Sequence, residues 1–379
     1  MIDRSGYLTT IRTALKRNPV VMLMGPRQCG KTSLARQFLS EDAPNYFDLE
    51  KPLVAKLFDE PMNALERLRG LVVLDEAQLQ PKIFPVLRVL ADRKGTPARF
   101  LVLGSASPEL SRQASESLAG RVAFIEIKGF SLAELDNAPV DRLWLRGSFP
   151  RSYLARSLNE STQWRENFIL SFVERDLAKL GFGVSPKAMA RFWTMISHYH
   201  GQIWNATEVA ASMGFSQSSA RNYIDALEQT FMIRRLQPYY ANVGKRLVKT
   251  PKLYIRDSGL FHALQNIHTM RDLVTNPKLG ASWEGFALEE VLSAFNPRQP
   301  YFYAAQSAAE LDLFFLHKSK RIGVEFKRAD APAMTKSMHV AMEDLKLHKL
   351  YIIYPGDRRA TLNKKVELVP LAQVHELGG

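Results

Sequence analysis

Short apolar runs alternate with amphipathic stretches through the first 135 residues. The runs at 20–24 (VVMLM), 46–49 (YFDL), 71–76 (LVVLDE), 100–105 (FLVLGS) and 122–127 (VAFIEI) are short and almost uniformly apolar, the pattern of strands buried on both faces. Helix-period segments such as 33–39 and 84–92 lie between them. Buried strands alternating with helices predict an α/β fold, a parallel sheet with helices on both faces.

From 136 to 184 the apolar residues take helical spacing, with Trp164, Phe168, Phe172 and Leu177 recurring on one side. Residues 185–262 have the pattern of a compact three-helix unit followed by a basic hairpin. Asn205 and Glu208 suggest a capping box that opens one helix, which Gly214 ends; Ser216 is placed to cap the next, over 217–230. Two helices joined by a short glycine turn, after an apolar helix containing Phe192, Met195 and Ile196, match helix-turn-helix spacing. Past Asn276-Pro277 a last α/β stretch runs to the end of the sequence. The expected domains are an α/β core over 1–135, a helical lid or linker over 136–184, a winged-helix domain over 185–265 and a second α/β domain over 266–379.

Composition narrows the class of protein. A 379-residue chain exceeds what one hydrophobic core ordinarily organises, and 46% hydrophobic residues exclude a disordered chain. Lys+Arg 51 against Asp+Glu 38 gives a net charge of +13, which points to a polyanion, nucleic acid before an anionic membrane. One cysteine excludes an intramolecular disulfide framework and any multi-cysteine metal site. No run approaches the ~20 apolar residues of a membrane-spanning helix, and the first residues lack a secretory signal. The expectation is a cytoplasmic protein with no membrane partner.

The strongest chemical signal is Gly25-Pro26-Arg27-Gln28-Cys29-Gly30-Lys31-Thr32, followed by Ser33, between the first strand and a helical segment. Glycines at both ends let the main chain wrap phosphate closely, so that successive N–H groups face the anion. Lys31 would reach the β/γ-phosphates, and the Thr32 hydroxyl would bind Mg²⁺. Cys29 is read as a neutral filler. A partner should supply acid from a later strand, and LVVLDE ends in Asp75 and Glu76: Asp75 for Mg²⁺, Glu76 to orient and deprotonate a water. Ser105 ends another buried strand, placed to read the γ-phosphate. Arg121 follows a helical stretch over 107–120, where it can reach across a subunit boundary and neutralise transition-state charge.

The order of loop, Asp-Glu, sensor strand and helix-end arginine resembles the AAA+ ATPases. The phrases GPRQCGKTSLA, FDLE, LDEAQ, LGSAS and SESLAGRVAFIEI are similar to those of a group of prokaryotic AAA+ proteins with a C-terminal domain related to the PD-(D/E)xK nucleases. The resemblance spans nearly the whole chain. It implies ATP and Mg²⁺ as cofactors, ATP hydrolysis, and a homo-oligomer such as a hexamer, in which Arg121 acts on the neighbour's nucleotide. The usual second sensor arginine has no clear match; Arg146 and Arg151 are its candidates.

Two further sets of residues bear on partners. Gln217, Ser218, Arg221 and Asn222 lie on the free face of the second helix of the helix-turn-helix pattern, and Lys245, Arg246, Lys249 and Lys252 are expected near the tip of the hairpin. A basic wing beside such a helix suits duplex or branched DNA, although winged helices also dock proteins. In the last segment Asp312 and the Glu325-Phe326-Lys327 triplet fall on strands joined by the polar turn His317-Lys318-Ser319-Lys320, and Glu325 and Lys327 share a face. Two carboxylates over Mg²⁺ with a lysine nearby could activate water against a phosphodiester. The pattern resembles the PD-(D/E)xK core, with Glu289 matching its first-helix acid. The functional expectation is an ATP-driven DNA-binding remodeller or translocase. The alternatives are a nucleotide-dependent signalling or defence switch that grips a protein, and an ATP-regulated Mg²⁺-dependent nuclease.

Overall fold

The computed structural model describes residues 2–95, 97–104, 108–135, 139–240, 247–305 and 309–378. The chain divides into two compact units: Met1–Phe130 with Glu174–Val184 and Gln229–Phe231, and Ser131–Val173 with Ser185–Glu228 and Met232–Gly379.

The first unit is built on β1 (Val20–Met24), β2 (Tyr46–Asp48), β3 (Leu71–Asp75), β4 (Arg99–Leu103) and β5 (Val122–Glu126). These are the five apolar runs, recovered to within a residue or two at their ends. They pair in parallel in the order β2-β3-β4-β1-β5, so the first strand lies between the fourth and fifth. Alternation sends Val20, Met22, Val72, Leu74, Phe100 and Val102 into one core with Phe84, Leu87 and Leu90 of the helix Ile83–Ala91. Val21, Leu23, Val73, Leu101 and Leu103 enter the opposite core with Leu8 and Ile11 of the helix Ser5–Arg17. Each fully buried Leu, Phe or Val contributes roughly 1.5–3 kcal/mol relative to exposure. The helix expected over 33–39 is confined to Lys31–Ala35, continued by turn bonds from Gln37 and Phe38.

The second unit begins with short helices and the long helix Leu158–Ser171, along which Trp164, Phe168 and Phe172 stack in sequence at centroid separations of 5.2 and 6.1 Å. Next come the helix Pro186–Ser197, β6 (Gln202–Ile203), the helices Ala206–Met213 and Gln217–Gln229, β7 (Ile233–Pro238) and β8 (Lys252–Ile255). Asn205 caps its helix by accepting from Thr207 N at 3.1 Å, and Gly214 ends it with φ of 68°. Glu208 does not close the expected capping box, because its carboxylate accepts from Tyr199 Oη at 3.0 Å. Ser216 accepts from Ser219 N at 3.0 Å, as its capping role requires.

The last segment supplies the helix Leu279–Phe295, β9 (Tyr301–Ala304), β10 (Glu310–His317), β11 (Lys320–Phe326), the helix Lys336–Asp344, β12 (Lys349–Tyr354), β13 (Ala360–Asn363) and β14 (Val366–Pro370). β10 and β11 form the expected hairpin, with Lys318 and Ser319 in the left-handed region at its two-residue turn. A single sheet in the order β13-β14-β12-β11-β10-β9-β7-β8-β6 runs through this unit. The boundary expected at 265/266 thus falls between segments that share one sheet, joined where β7 pairs with β9.

Candidate functional site

The loop after β1 takes the phosphate-gripping form. Gly25 has φ of 152°, and a Cβ there would lie 2.1 Å from the carbonyl oxygen of Ile127, so only glycine fits. Gln28 and Gly30 also have positive φ, 63° and 100°, which turns successive N–H groups inward. Cys29 is buried, and its thiol donates to Ile127 O at 3.3 Å, in keeping with a filler. Lys31 is buried and folds back on its own loop, donating through Nζ to Gly25 O at 3.0 Å and Pro26 O at 2.8 Å. Arg27 is ion-paired with the buried Asp176.

β3 carries Asp75 and Glu76 to the same end of the sheet. Asp75 is buried and accepts from Tyr46 Oη at 2.9 Å and from Glu76 N at 3.0 Å, with the Thr32 hydroxyl near enough to favour its charged form. Burial pushes the Asp75 carboxyl up, against the hydrogen bonds from Tyr46 and Thr32 that favour its charge. Glu76 sits at φ of 57°, outside the strand geometry, with its carboxylate held by the Gln78 amide. The loop hydroxyl and the strand acid, 43 positions apart in sequence, are thus brought close together. A buried lysine, a threonine hydroxyl and an acid held together fit a magnesium–nucleotide complex, whose phosphates would replace the loop carbonyls as partners of Lys31.

No motif pointed to Arg4. It is buried against the loop, donating to Cys29 O at 3.1 Å, Lys128 O at 3.0 Å and Gly129 O at 3.1 Å, with Tyr7 and Phe130 over its guanidinium. It ties the phosphate loop to the chain leaving β5. Arg121 stands at the far end of the sheet. Its carbonyl accepts from Val20 N at the start of β1, and a five-residue strand of roughly 16 Å separates it from its own phosphate loop. Its side chain is partly exposed, with the guanidinium forked on Asp92 at 2.7 and 2.8 Å. Ser105 lies outside the described residues.

In the second unit Gln217, Ser218, Arg221 and Asn222 are all exposed on the helix Gln217–Gln229, and Lys249 is exposed. Lys245 and Arg246 lie outside the described residues. Lys252 is not at a hairpin tip: it lies within β8, its side chain is 6% exposed, and three carboxylates surround it. Arg146 donates to Tyr153 O and Ala155 O of its own segment, and Arg151 is exposed.

The acidic cluster forms where β10, β11 and the helix Leu279–Phe295 meet β8. Asp312 is buried and accepts from Phe326 N at 2.9 Å. Glu325 is buried, pairs with Lys327 at 2.7 Å through Oε1, and leaves Oε2 buried without a hydrogen-bond partner. The helix acid that joins them is Glu284, missed in the sequence, which accepts from Tyr254 Oη at 2.5 Å. Glu289, the expected acid, points elsewhere and is forked by Arg234, with Arg256 at 3.5 Å. Burial first and Asp312 second push Glu284 up to about 7 and Glu325 up to about 8. Among the described residues no group of three His, Cys, Asp or Glu side chains is arranged to hold a metal ion. As folded, the cluster does not fit Mg²⁺. Among them, too, no helix is long and apolar enough to cross a membrane.

A family model described as an AAA domain matches residues 17–136. Two described as domains of unknown function, DUF8612 and DUF4143, match 137–271 and 279–374. The uncharacterized proteins Rv2008c of Mycobacterium tuberculosis and Mb2031c of Mycobacterium bovis are each 47% identical over 379 residues, 100% of this chain and 86% of theirs. Among solved structures, the Walker-type ATPase PABY2304 of Pyrococcus abyssi aligns with a TM-score of 0.51 at 15% identity, covering 70% of this chain and 96% of that one. That likeness is one of fold.

Proposed function

The chain belongs to the family of the mycobacterial proteins Rv2008c and Mb2031c, and on that premise we propose that it is a magnesium-dependent ATPase that binds duplex or branched DNA and couples turnover to moving it. The observation that carries the ATPase reading is the positive-φ loop closed by the buried Lys31, with the buried Asp75 brought near the Thr32 hydroxyl at the same end of the sheet. Mg²⁺, when bound, neutralises charge on the terminal phosphates. The chain's own part is positional. Lys31 exchanges its two carbonyl partners for phosphate oxygens, Thr32 and Asp75 offer hard oxygen ligands, and Glu76 takes the proton of the attacking water.

Arg121 is too far from its own loop to act there, which supports a homo-oligomer in which it neutralises charge at a neighbour's nucleotide. The order helix, strand, two helices and hairpin over 186–255 supports a winged helix, and the four exposed polar residues at 217, 218, 221 and 222 support contact with DNA, as does the net charge of +13. The placement of Glu284, Asp312, Glu325 and Lys327 on a helix and a hairpin supports a PD-(D/E)xK-like fold used to hold nucleic acid, not to cut it.

The test is ATP turnover with no DNA, linear duplex, single strand and four-way junction, using Glu76→Gln as the dead control. At least one DNA should raise turnover several-fold, and its binding should fall linearly in log–log form with salt. Equal rates in every tube would overturn the DNA role and favour a nucleotide-dependent switch acting on a protein. Undiminished turnover in Lys31→Ala would overturn the ATPase reading.

A further inference from the structure

Lys252 occupies an unusual position for a residue in a basic stretch. It leaves β8 inward, under Phe302, and its ammonium pairs with Glu310 while lying 3.5 Å from Glu284 and 3.8 Å from Asp312. One ammonium, hydrogen-bonded to Glu310, thus sits within ion-pair distance of three carboxylates, in a setting where the side chain is 6% exposed. Burial works against the charge, yet Glu284, Asp312 and Glu310 together outweigh it and raise the lysine's pKa, so the ammonium is held.

A divalent ion bridging Asp312 and Glu284 would have to share that space. It would meet a like charge within roughly 4 Å, at a distance where repulsion in a buried site is large. At the same time Glu325 keeps one buried oxygen without a hydrogen-bond partner, so the cluster retains an unused hard oxygen. Those two facts together describe a site that has metal-binding oxygens and is filled by an internal cation.

We propose that Lys252 is a built-in counter-ion that keeps divalent metal out of the Glu284–Asp312–Glu325 cluster, and that removing its charge turns the cluster into a divalent-cation site. The inference rests on reading the cluster as the counterpart of a metal-dependent phosphodiester-cleaving centre. It accounts for a PD-(D/E)xK-like arrangement that is ready in its acids and lysine but not in its metal. Lys252 and Tyr254 reach the cluster from β8, so the strand that follows the basic hairpin loop closes it.

The test is Mn²⁺ binding to the nucleotide-free full chain, followed by electron paramagnetic resonance and by the shift of the thermal transition. Five proteins are compared: wild type, Asp312→Asn, Lys252→Met, Lys252→Arg, and Lys252→Met combined with Asp312→Asn. Lys252→Met should acquire one saturable Mn²⁺ at least ~10-fold tighter than wild type, and its melting temperature should rise with Mn²⁺. The double variant should lose that site, and Lys252→Arg, which keeps the charge, should stay without it. If wild type already holds one Mn²⁺ that Asp312→Asn removes, the counter-ion role is wrong while the metal-centre reading stands. If folded Lys252→Met gains no Mn²⁺, the metal-centre reading fails and the proposal with it. Should Lys252→Met not fold, Lys252→Gln, which also removes the charge, takes its place in the comparison, with the same outcomes.

Discussion

Replacing Arg4 by alanine tests whether the phosphate loop is held from outside its own motif. Three carbonyls, of Cys29, Lys128 and Gly129, would lose a charged donor at 3.0–3.1 Å in a buried setting. Hydrogen bonds to a charged group contribute about 1.5–3 kcal/mol each. Water entering the vacated space recovers part of that, which leaves a loss of about 3 kcal/mol for the set. For a unit of this size the melting temperature moves by roughly 2–4 °C per kcal/mol, so the ATPase unit should melt roughly 6–12 °C lower. Because Cys29 lies inside the loop, nucleotide affinity should also fall, by ~10-fold. Calorimetry of the nucleotide-free protein and titration with a fluorescent ATP analogue measure the two effects. Arg4→Lys keeps the charge but not the fork and should recover less than half of the stability. A variant that melts within ~2 °C of wild type and binds the analogue equally well would refute the bracing role.

The same logic extends to other positions. Gly25→Ala sets a methyl 2.1 Å from Ile127 O at a φ of 152°, so the loop must move; titration with the ATP analogue should show binding weakened by at least ~100-fold. Glu325 and Glu284 titrate near 4.5 when unperturbed but at about 8 and about 7 in the fold. The folded chain therefore binds protons that the unfolded chain does not, and this stability is complete below pH ~4.5 and lost as pH rises through about 7 to about 8. The melting temperature of nucleotide-free protein should accordingly rise on going from about pH 9 to about pH 6, and Glu325→Gln should flatten that rise; an unchanged slope in the variant would sink the assignment.

The parallel core was legible because each strand is buried on both faces and so appears as an uninterrupted apolar run, with the phosphate loop and the acid pair at fixed places after two of them. The acidic cluster was legible in its strands and not in its helix. The helix Leu279–Phe295 buries Trp283, Phe286, Ala287, Leu288, Val291 and Leu292, which surround much of its circumference. Its own periodicity therefore gives no phase, and packing alone decides that Glu284 and not Glu289 meets Asp312. Lys252 was misplaced for a related reason: a run of lysines reads as an exposed tip, whereas the hairpin's pairing register puts this one opposite Leu236 in a buried strand. Arg4 belongs to no motif, and its partners are backbone carbonyls, which carry no residue signature.

The join between β7 and β9 bears on how the molecule can be cut. Two main-chain registers, Gln237 with Tyr301 and Pro238 with Phe302, are reinforced by Tyr239 N donating to Phe302 O at 2.7 Å and Val248 N to Ala304 O at 3.1 Å. Scission between 271 and 279, where the two C-terminal family segments abut, would strip each fragment of its neighbour and bare a row of unsatisfied amides and carbonyls on both. Such raw borders invite intermolecular strand addition. Either half expressed alone should precipitate, while co-expressed halves should reunite as a soluble pair.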